Sequence, residues 1–82
     1  MKNPALNAAI LRILARIETG LKETTLQNET EIAMARPDLT TDEFLDALGY
    51  LADHGLVDAW TNLLGDKVWG ITETGRDALK GL

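Results

Sequence analysis

Carboxylates dominate the middle of this 82-residue chain. Between Arg36 and Lys67 there are seven acidic residues and no Lys or Arg, whereas the rest of the chain holds eight basic and six acidic residues. Carboxylates can serve proton transfer, bind a metal ion, or face a cationic partner. The surrounding residues and the elements that carry them decide among these roles. The seven acidic residues are Asp38, Asp42, Glu43, Asp46, Asp53, Asp58 and Asp66.

Catalysis and metal binding have little support in the sequence. The chain contains no Ser and no Cys, so that Ser and Cys nucleophiles, thiolate metal ligands and disulfides are excluded, and only Thr, Lys, Asp, Glu, His and Tyr could act as nucleophiles. The single histidine, His54, precedes Gly55 at a predicted helix end, where a capping role is favourable. The acidic residues lack a metal-site spacing, and the glycines do not form a phosphate-binding loop. We therefore expect no enzymatic activity, no metal and no cofactor.

Composition and length predict one small folded domain, residues 1–82. Apolar residues make up 45% and charged residues 26%, which is typical of soluble globular domains. No run of 18 apolar residues occurs, and no processing site follows the N-terminal apolar stretch. We expect a cytoplasmic protein that does not associate with membranes.

The first helix is predicted to begin at the Asn3–Pro4 pair and to continue to Gly20. Two interpretations of this helix remain open. It is either the central helix of the core, or it contributes to a homodimer contact, because it is apolar on nearly all sides. Its main apolar stripe consists of Leu6, Ile10, Ile13, Leu14 and Ile17.

Residues 21–27 predict a short strand, and two helices follow it. The first has a capping-box pattern at Asn28 and Glu31 and must end before Pro37. The second, residues 41–54, is capped by Thr40 and ended by Gly55. Helical spacing places Phe44, Leu45, Leu48, Leu51 and Ala52 on one face. The opposite face carries Asp42, Glu43, Asp46, Tyr50 and Asp53.

The segments "LVDAW" and "KVWGI" predict an antiparallel hairpin around the turn "TNLLGD". Trp69 and Ile71 alternate and are expected in the core. Leu63 and Leu64 lie at the tip of the hairpin, where they form an exposed apolar anchor, fold back on the domain, or meet a second subunit. Trp60 is a further contact residue if it projects outward. Thr72 is expected to cap a last short helix.

These elements resemble the winged helix-turn-helix family. The stretch "EIAMARPDLTTDEFLDALGYLADHGLV" is similar to the family's two-helix unit, and "VWGITETGRDAL" to its closing pattern. The resemblance implies a mainly α fold with a small β-hairpin (α+β), in which a three-helix core carries a wing and a short C-terminal helix. It also implies core positions at Ile32, Ala33, Leu39, Phe44, Leu48 and Leu51.

The resemblance implies that helix 41–54 would lie in the DNA major groove and the wing, residues 56–71, on the adjacent backbone. The acidic helix opposes this, because Lys and Arg supply most of the affinity for phosphates. Cationic residues that could serve DNA binding instead are Arg12, Arg16, Lys22 and Lys67, with Lys2 beside them.

The charge pattern therefore favours a non-enzymatic winged-helix domain that acts through protein contacts, as a regulator or adaptor and in one version as a homodimer through helix 1. One alternative is a DNA-binding transcriptional regulator. Another is an acidic mimic of nucleic acid that inhibits a DNA- or RNA-binding protein. The predicted protein-contact residues are Asp42, Glu43, Asp46, Tyr50, Asp53, Leu63 and Leu64.

Overall fold

A computed structural model describes residues 3–81, which form four helices and a three-stranded antiparallel sheet. The strand order in the sheet is β1-β3-β2. This architecture confirms the predicted α+β class with its hairpin. In chain order the elements are α1 (Pro4–Ala15), β1 (Leu21–Lys22), α2 (Glu23–Met34), α3 (Thr41–Asp53), β2 (Val57–Thr61), β3 (Lys67–Ile71) and α4 (Glu73–Lys80).

Helix α1 is the central helix of the core. The side chain of Asn3 caps it as predicted, because its Oδ1 accepts a hydrogen bond from the Leu6 amide at 3.2 Å. Ile10 and Leu14 are completely buried. The predicted end at Gly20 is wrong, since the helix ends at Ala15. Arg76 of α4 donates to the Ala15 carbonyl at 3.0 Å, and the chain then turns into β1 at Gly20.

Helix α2 begins earlier than predicted. A start at Asn28 was expected, but the helix covers twelve residues from Glu23, and Asn28 lies exposed within it. Tertiary contacts explain the difference. Leu26 and Thr30 are both fully buried, and the Trp69 indole donates to the Glu23 carboxylate at 3.0 Å. The predicted strand before α2 is correspondingly reduced to the two residues of β1.

The core positions predicted on α2 are also wrong. Ile32 is 74% exposed and Ala33 is exposed as well. The face that packs inward instead carries Leu26, Thr30 and Met34, which lie four residues apart. The buried Thr30 hydroxyl donates to the Leu26 carbonyl at 2.7 Å, which satisfies it within the helix.

Helix α3 begins where the sequence predicts, and Thr40 Oγ1 accepts a hydrogen bond from the Glu43 amide at 3.1 Å. Its buried face differs in part from the expected one. Phe44, Leu48 and Leu51 are buried as predicted, but Ala47 is the fourth member of this face. Leu45 and Ala52 are exposed, because the face is rotated toward the side of Ala47.

The predicted hairpin is confirmed, with Val57 opposite Ile71 and Thr61 opposite Lys67. Trp69 is buried and Ile71 is half-buried against the core, whereas Trp60 is on the outer face of the sheet. The Trp60 indole packs against Gly20 and Gly70. A Cβ at either position would clash with the outer ring atoms of Trp60. Trp60 therefore covers the back of the sheet while 45% of its surface stays exposed.

Thr72 connects the end of the wing to two helices. Its hydroxyl accepts a hydrogen bond from the Gly75 amide at 3.0 Å, which caps α4 as predicted, and donates to the Gly55 carbonyl at 2.6 Å. The Thr72 amide also donates to the Leu56 carbonyl at 3.1 Å. The closing pattern of the sequence thus fixes α4 against the exit of α3.

Candidate nucleic-acid and partner interface

The side chain of Arg36 fixes α3 relative to α2. Its Nη2 atom lies 3.3 Å from Asp38 Oδ2 and 3.3 Å from Glu43 Oε1. The hydrogen bond from this guanidinium lowers the pKa of the Asp38 carboxyl below its ordinary value of 3.8. A second contact, from Gln27 Nε2 to Thr41 Oγ1 at 3.2 Å, joins the same two helices. The two-helix unit is therefore held by polar contacts as well as by its core.

The acidic residues of α3 have two different environments. Glu43 is half-buried and neutralised by Arg36. Asp42, Asp46 and Asp53 are exposed, and none of them forms an ion pair with another residue of 3–81. Leu45 and Gly49 lie exposed on the same helix. The outward surface of α3 thus presents three free carboxylates and no cation.

Tyr50 is less available than the sequence suggests. It is half-buried against the core, and its ring stacks on that of His54 with centroids 4.1 Å apart. The Nδ1 atom of His54 lies 2.8 Å from the Tyr50 carbonyl oxygen, and the His54 amide donates to the same oxygen at 3.1 Å. His54 accordingly takes the C-terminal capping position predicted for it.

The tip of the wing is a tight turn that exposes two leucines. Asn62 Oδ1 accepts hydrogen bonds from the amides of Leu64 at 3.0 Å and Asp66 at 2.9 Å. Leu63 and Leu64 are 105% and 83% exposed. The tip does not fold back onto the rest of residues 3–81, so both leucine side chains are exposed to solvent.

The predicted cationic residues lie in two separate places. Lys22 pairs with Asp66 at 3.2 Å, and the Lys67 ammonium lies 5.0 Å from the centroid of the Trp69 ring, so that both flank the wing. Arg12 and Arg16 instead line a shallow groove with Ala33 of α2 and Leu79 of α4. Lys2 lies outside the described residues. A basic patch that joins Arg12 and Arg16 to Lys22 and Lys2 stays a prediction.

Sequence reasoning missed a groove between the start of α1 and the outward side of α3. Its volume is about 650 Å³, and Asn7 lies in its lining. Asn7 is only 3% exposed, and its Oδ1 atom has no hydrogen-bond partner among residues 3–81. A signal did exist in the sequence, since Asn7 is a polar residue between Leu6 and Ile10 of the apolar stripe. The groove residues are Asn3, Leu6, Asn7, Glu43, Leu45, Asp46, Ala47, Gly49, Tyr50 and Asp53.

Neither a metal centre nor a membrane span is seen in the part of the chain that the structure describes. Its His, Asp and Glu side chains form no group of three or more that could hold a metal ion. Within residues 3–81, every helix is too short or too polar to cross a bilayer.

Comparison with known proteins identifies the fold. No protein-family model matches the sequence, and no curated protein matches it significantly. Among solved structures, SSV1 F-93 is similar with a TM-score of 0.75 and 25% identity, over 93% of this chain and 79% of that one. A transcriptional regulator of the MarR family from Silicibacter pomeroyi has a TM-score of 0.76 and 21% identity, over 98% of this chain and 53% of its own.

A mutant of S. aureus MepR is also similar, with a TM-score of 0.70 and 19% identity, over 92% of this chain and 51% of that one. The chain thus spans most of F-93 but only about half the length of the other two proteins. These similarities show that the chain has the winged helix-turn-helix fold that its sequence predicts.

Proposed function

We propose that this protein is a winged-helix regulator that binds double-stranded DNA through α3 and the wing. The observation that carries the proposal is the exposed α3 followed directly by the hairpin, in an arrangement that is similar to a MarR-family transcriptional regulator over 98% of the chain. In helix-turn-helix proteins the second helix of the unit lies in the major groove. This revises the preference for protein contacts that the charge pattern favours.

The charges of the interface predict an unusual balance of contacts. Helix α3 supplies no cation for phosphates, and Lys22 and Lys67 are described cations that lie beside the wing. Thr41 is exposed at the start of α3, and the exposed carboxylates of this helix can accept a hydrogen bond from cytosine N4. Binding therefore depends on base contacts more than on phosphate neutralisation.

A mobility-shift titration against a random-duplex pool tests the proposal. With two lysine contacts, the logarithm of affinity should fall with the logarithm of salt with a slope of about −2, since each phosphate contact contributes roughly −0.9. Lys22→Ala and Lys67→Ala should each weaken binding on all sequences, whereas Lys80→Ala on α4 should not. Absence of a shift with any duplex at about 50 mM salt would overturn the proposal, provided that circular dichroism shows the chain folded.

A second candidate function is protein binding, and the exposed tip leucines together with the three unpaired carboxylates of α3 favour it. The contact residues would be Asp42, Asp46, Asp53, Leu63 and Leu64, and the half-buried Glu43 and Tyr50 would contribute less. Asp46→Lys with Asp53→Lys should abolish capture of the partner from the native lysate, or of a nucleic-acid-binding protein if the helix mimics nucleic acid. Unchanged capture would exclude the acidic helix from such a contact.

A homodimer through helix 1 remains a proposal of its own. The main apolar stripe of α1 is used within the chain, so a dimer would have to use the side that carries Ala5, Ala8, Ala9 and Arg12. Sedimentation equilibrium of the wild type and of Ala9→Glu tests this contact. A dimer that Ala9→Glu dissociates supports it, and a wild type that is monomeric at all concentrations contradicts it.

A further inference from the structure

The groove between α1 and α3 contains an unpaired buried acceptor. Asn7 is 3% exposed, lies next to the fully buried Leu6 and Ile10, and has no hydrogen-bond partner for its Oδ1 atom among residues 3–81. An acceptor that loses its water and gains no donor destabilises the fold. A donor that enters from the groove, which Asn7 helps to line, would satisfy it.

The charge of the groove selects the kind of donor. Asp46 and Asp53 line it and form no ion pair with the described residues, whereas Glu43, the third acidic residue of the lining, pairs with Arg36. Among residues 3–81, no Lys or Arg lines the groove. Asp46 and Asp53 are seven residues apart on α3, which is about 10 Å along a helix. Both carboxylates therefore face a site where a cation with N–H groups is favoured.

The shape and the remaining lining select the rest of the ligand. The volume of about 650 Å³ lies within the roughly 300–1,000 Å³ of small-molecule sites. Leu45 and the half-buried Tyr50 supply apolar and aromatic surface. A bare metal ion does not fit, because no three of the described carboxylates and imidazoles converge.

We propose that this groove binds a small organic cation, an amidinium or ammonium carried on an apolar or aromatic body. The charged N–H groups pair with Asp46 or Asp53 and donate to Asn7, and the body packs on Leu45 and the Tyr50 ring. The ligand thereby lies against the outward side of α3. Because its binding is measured without DNA, this inference stands or falls separately from the proposed function.

The test is an NMR titration of the full chain with benzamidine, which combines an amidinium with an aromatic ring. Benzamide and benzoate are matched probes that are neutral and anionic. We expect saturable shifts of amides at the start of α1 and along α3 with benzamidine, and at least a tenfold weaker response to the other two compounds. Equal responses to all three compounds, or no saturation with benzamidine at millimolar concentration, would overturn the proposal.

Variants locate the site within the groove. Asp46→Asn combined with Asp53→Asn changes two exposed side chains and should reduce benzamidine affinity at least tenfold, whereas Asp58→Asn on β2 should leave it unchanged. Asn7→Leu should reduce affinity while the midpoint of thermal unfolding stays the same or rises, since it removes the unpaired acceptor. Full affinity in the double variant would contradict the proposal even if Asn7→Leu failed to fold.

Discussion

Gly49 and Gly75 both lie in helices, but their surroundings differ. Nothing lies within 4 Å of the position that a Cβ would take at Gly49, on the exposed side of α3. At Gly75 in α4 a Cβ would fall on the Leu56 carbonyl oxygen and lie 2.7 Å from the Ile71 side chain. Gly75 therefore allows α4 to approach the wing closely, while Gly49 has no such packing role.

We expect Gly75→Ala and Gly49→Ala to change stability in opposite directions. Gly75→Ala should destabilise the protein by about 1–3 kcal/mol, because overpacking forces the backbone of Leu56 to move. Gly49→Ala should stabilise it by about 0.5–1 kcal/mol, because Ala restricts the unfolded chain and favours the helix. Urea unfolding of both variants measures the difference, and a stabilising Gly75→Ala would mean that α4 does not pack against the wing in this way.

Arg36 links two elements, because it binds Asp38 in the turn and Glu43 in the first turn of α3. Since the fold lowers the pKa of Asp38, the ionised carboxylate stabilises the folded state. This stabilisation is complete above the ordinary pKa of 3.8 and is lost as the pH falls through the lower pKa of the folded state. The ion pair between Arg36 and Asp38 in the turn before α3 should therefore weaken in acid.

The expected result for Asp38→Asn is a loss of stability at pH 7 that disappears in strong acid. Because Asp38 is exposed, the loss should be small. Urea unfolding of the wild type and the variant at pH 7, pH 5 and about pH 2.5 gives the comparison. A difference between the two proteins that does not change with pH would show that the Arg36 contact does not contribute through the charge of Asp38.

The exposed tip of the wing allows its role in binding to be tested separately from its role in stability. Leu63→Ser combined with Leu64→Ser should leave the unfolding midpoint nearly unchanged, because exposed side chains contribute little burial energy. The same variant should weaken any contact that the tip makes with a protein partner or with DNA. Thermal unfolding and the binding assays are run in parallel, and a large loss of stability would show that the tip packs on the domain.

At the scale of the whole molecule, the net charge of −5 and the acidic α3 oppose the approach of DNA. Asp46→Asn combined with Asp53→Asn should raise non-specific duplex affinity several-fold, since two repelling charges are removed without adding a phosphate contact. The salt slope should stay unchanged. Mobility shifts at several salt concentrations check both points, and weaker binding would instead indicate that these carboxylates contact bases directly.

Local sequence determined much of this fold. The caps at Asn3, Thr40 and Thr72 predicted where three helices begin, because short polar side chains satisfy free amides at these points regardless of distant contacts. The turn "TNLLGD" between two β-prone segments predicted the hairpin for the same local reason. Together with the resemblance to the winged helix-turn-helix family, these local features predict the fold.

Tertiary structure decided what local patterns left undetermined. The start of α2 depends on burial of Leu26 and on the bond between Trp69 and Glu23, which are 46 residues apart. The same packing leaves Ile32 exposed to solvent and places Glu43 beside Arg36, with which it forms an ion pair. The acidic residues are visible in the sequence, but their different environments result from packing among α1, α2 and α3. Glu43 pairs with Arg36, whereas Asp46 and Asp53 line a groove beside Asn7, whose Oδ1 atom has no partner among residues 3–81.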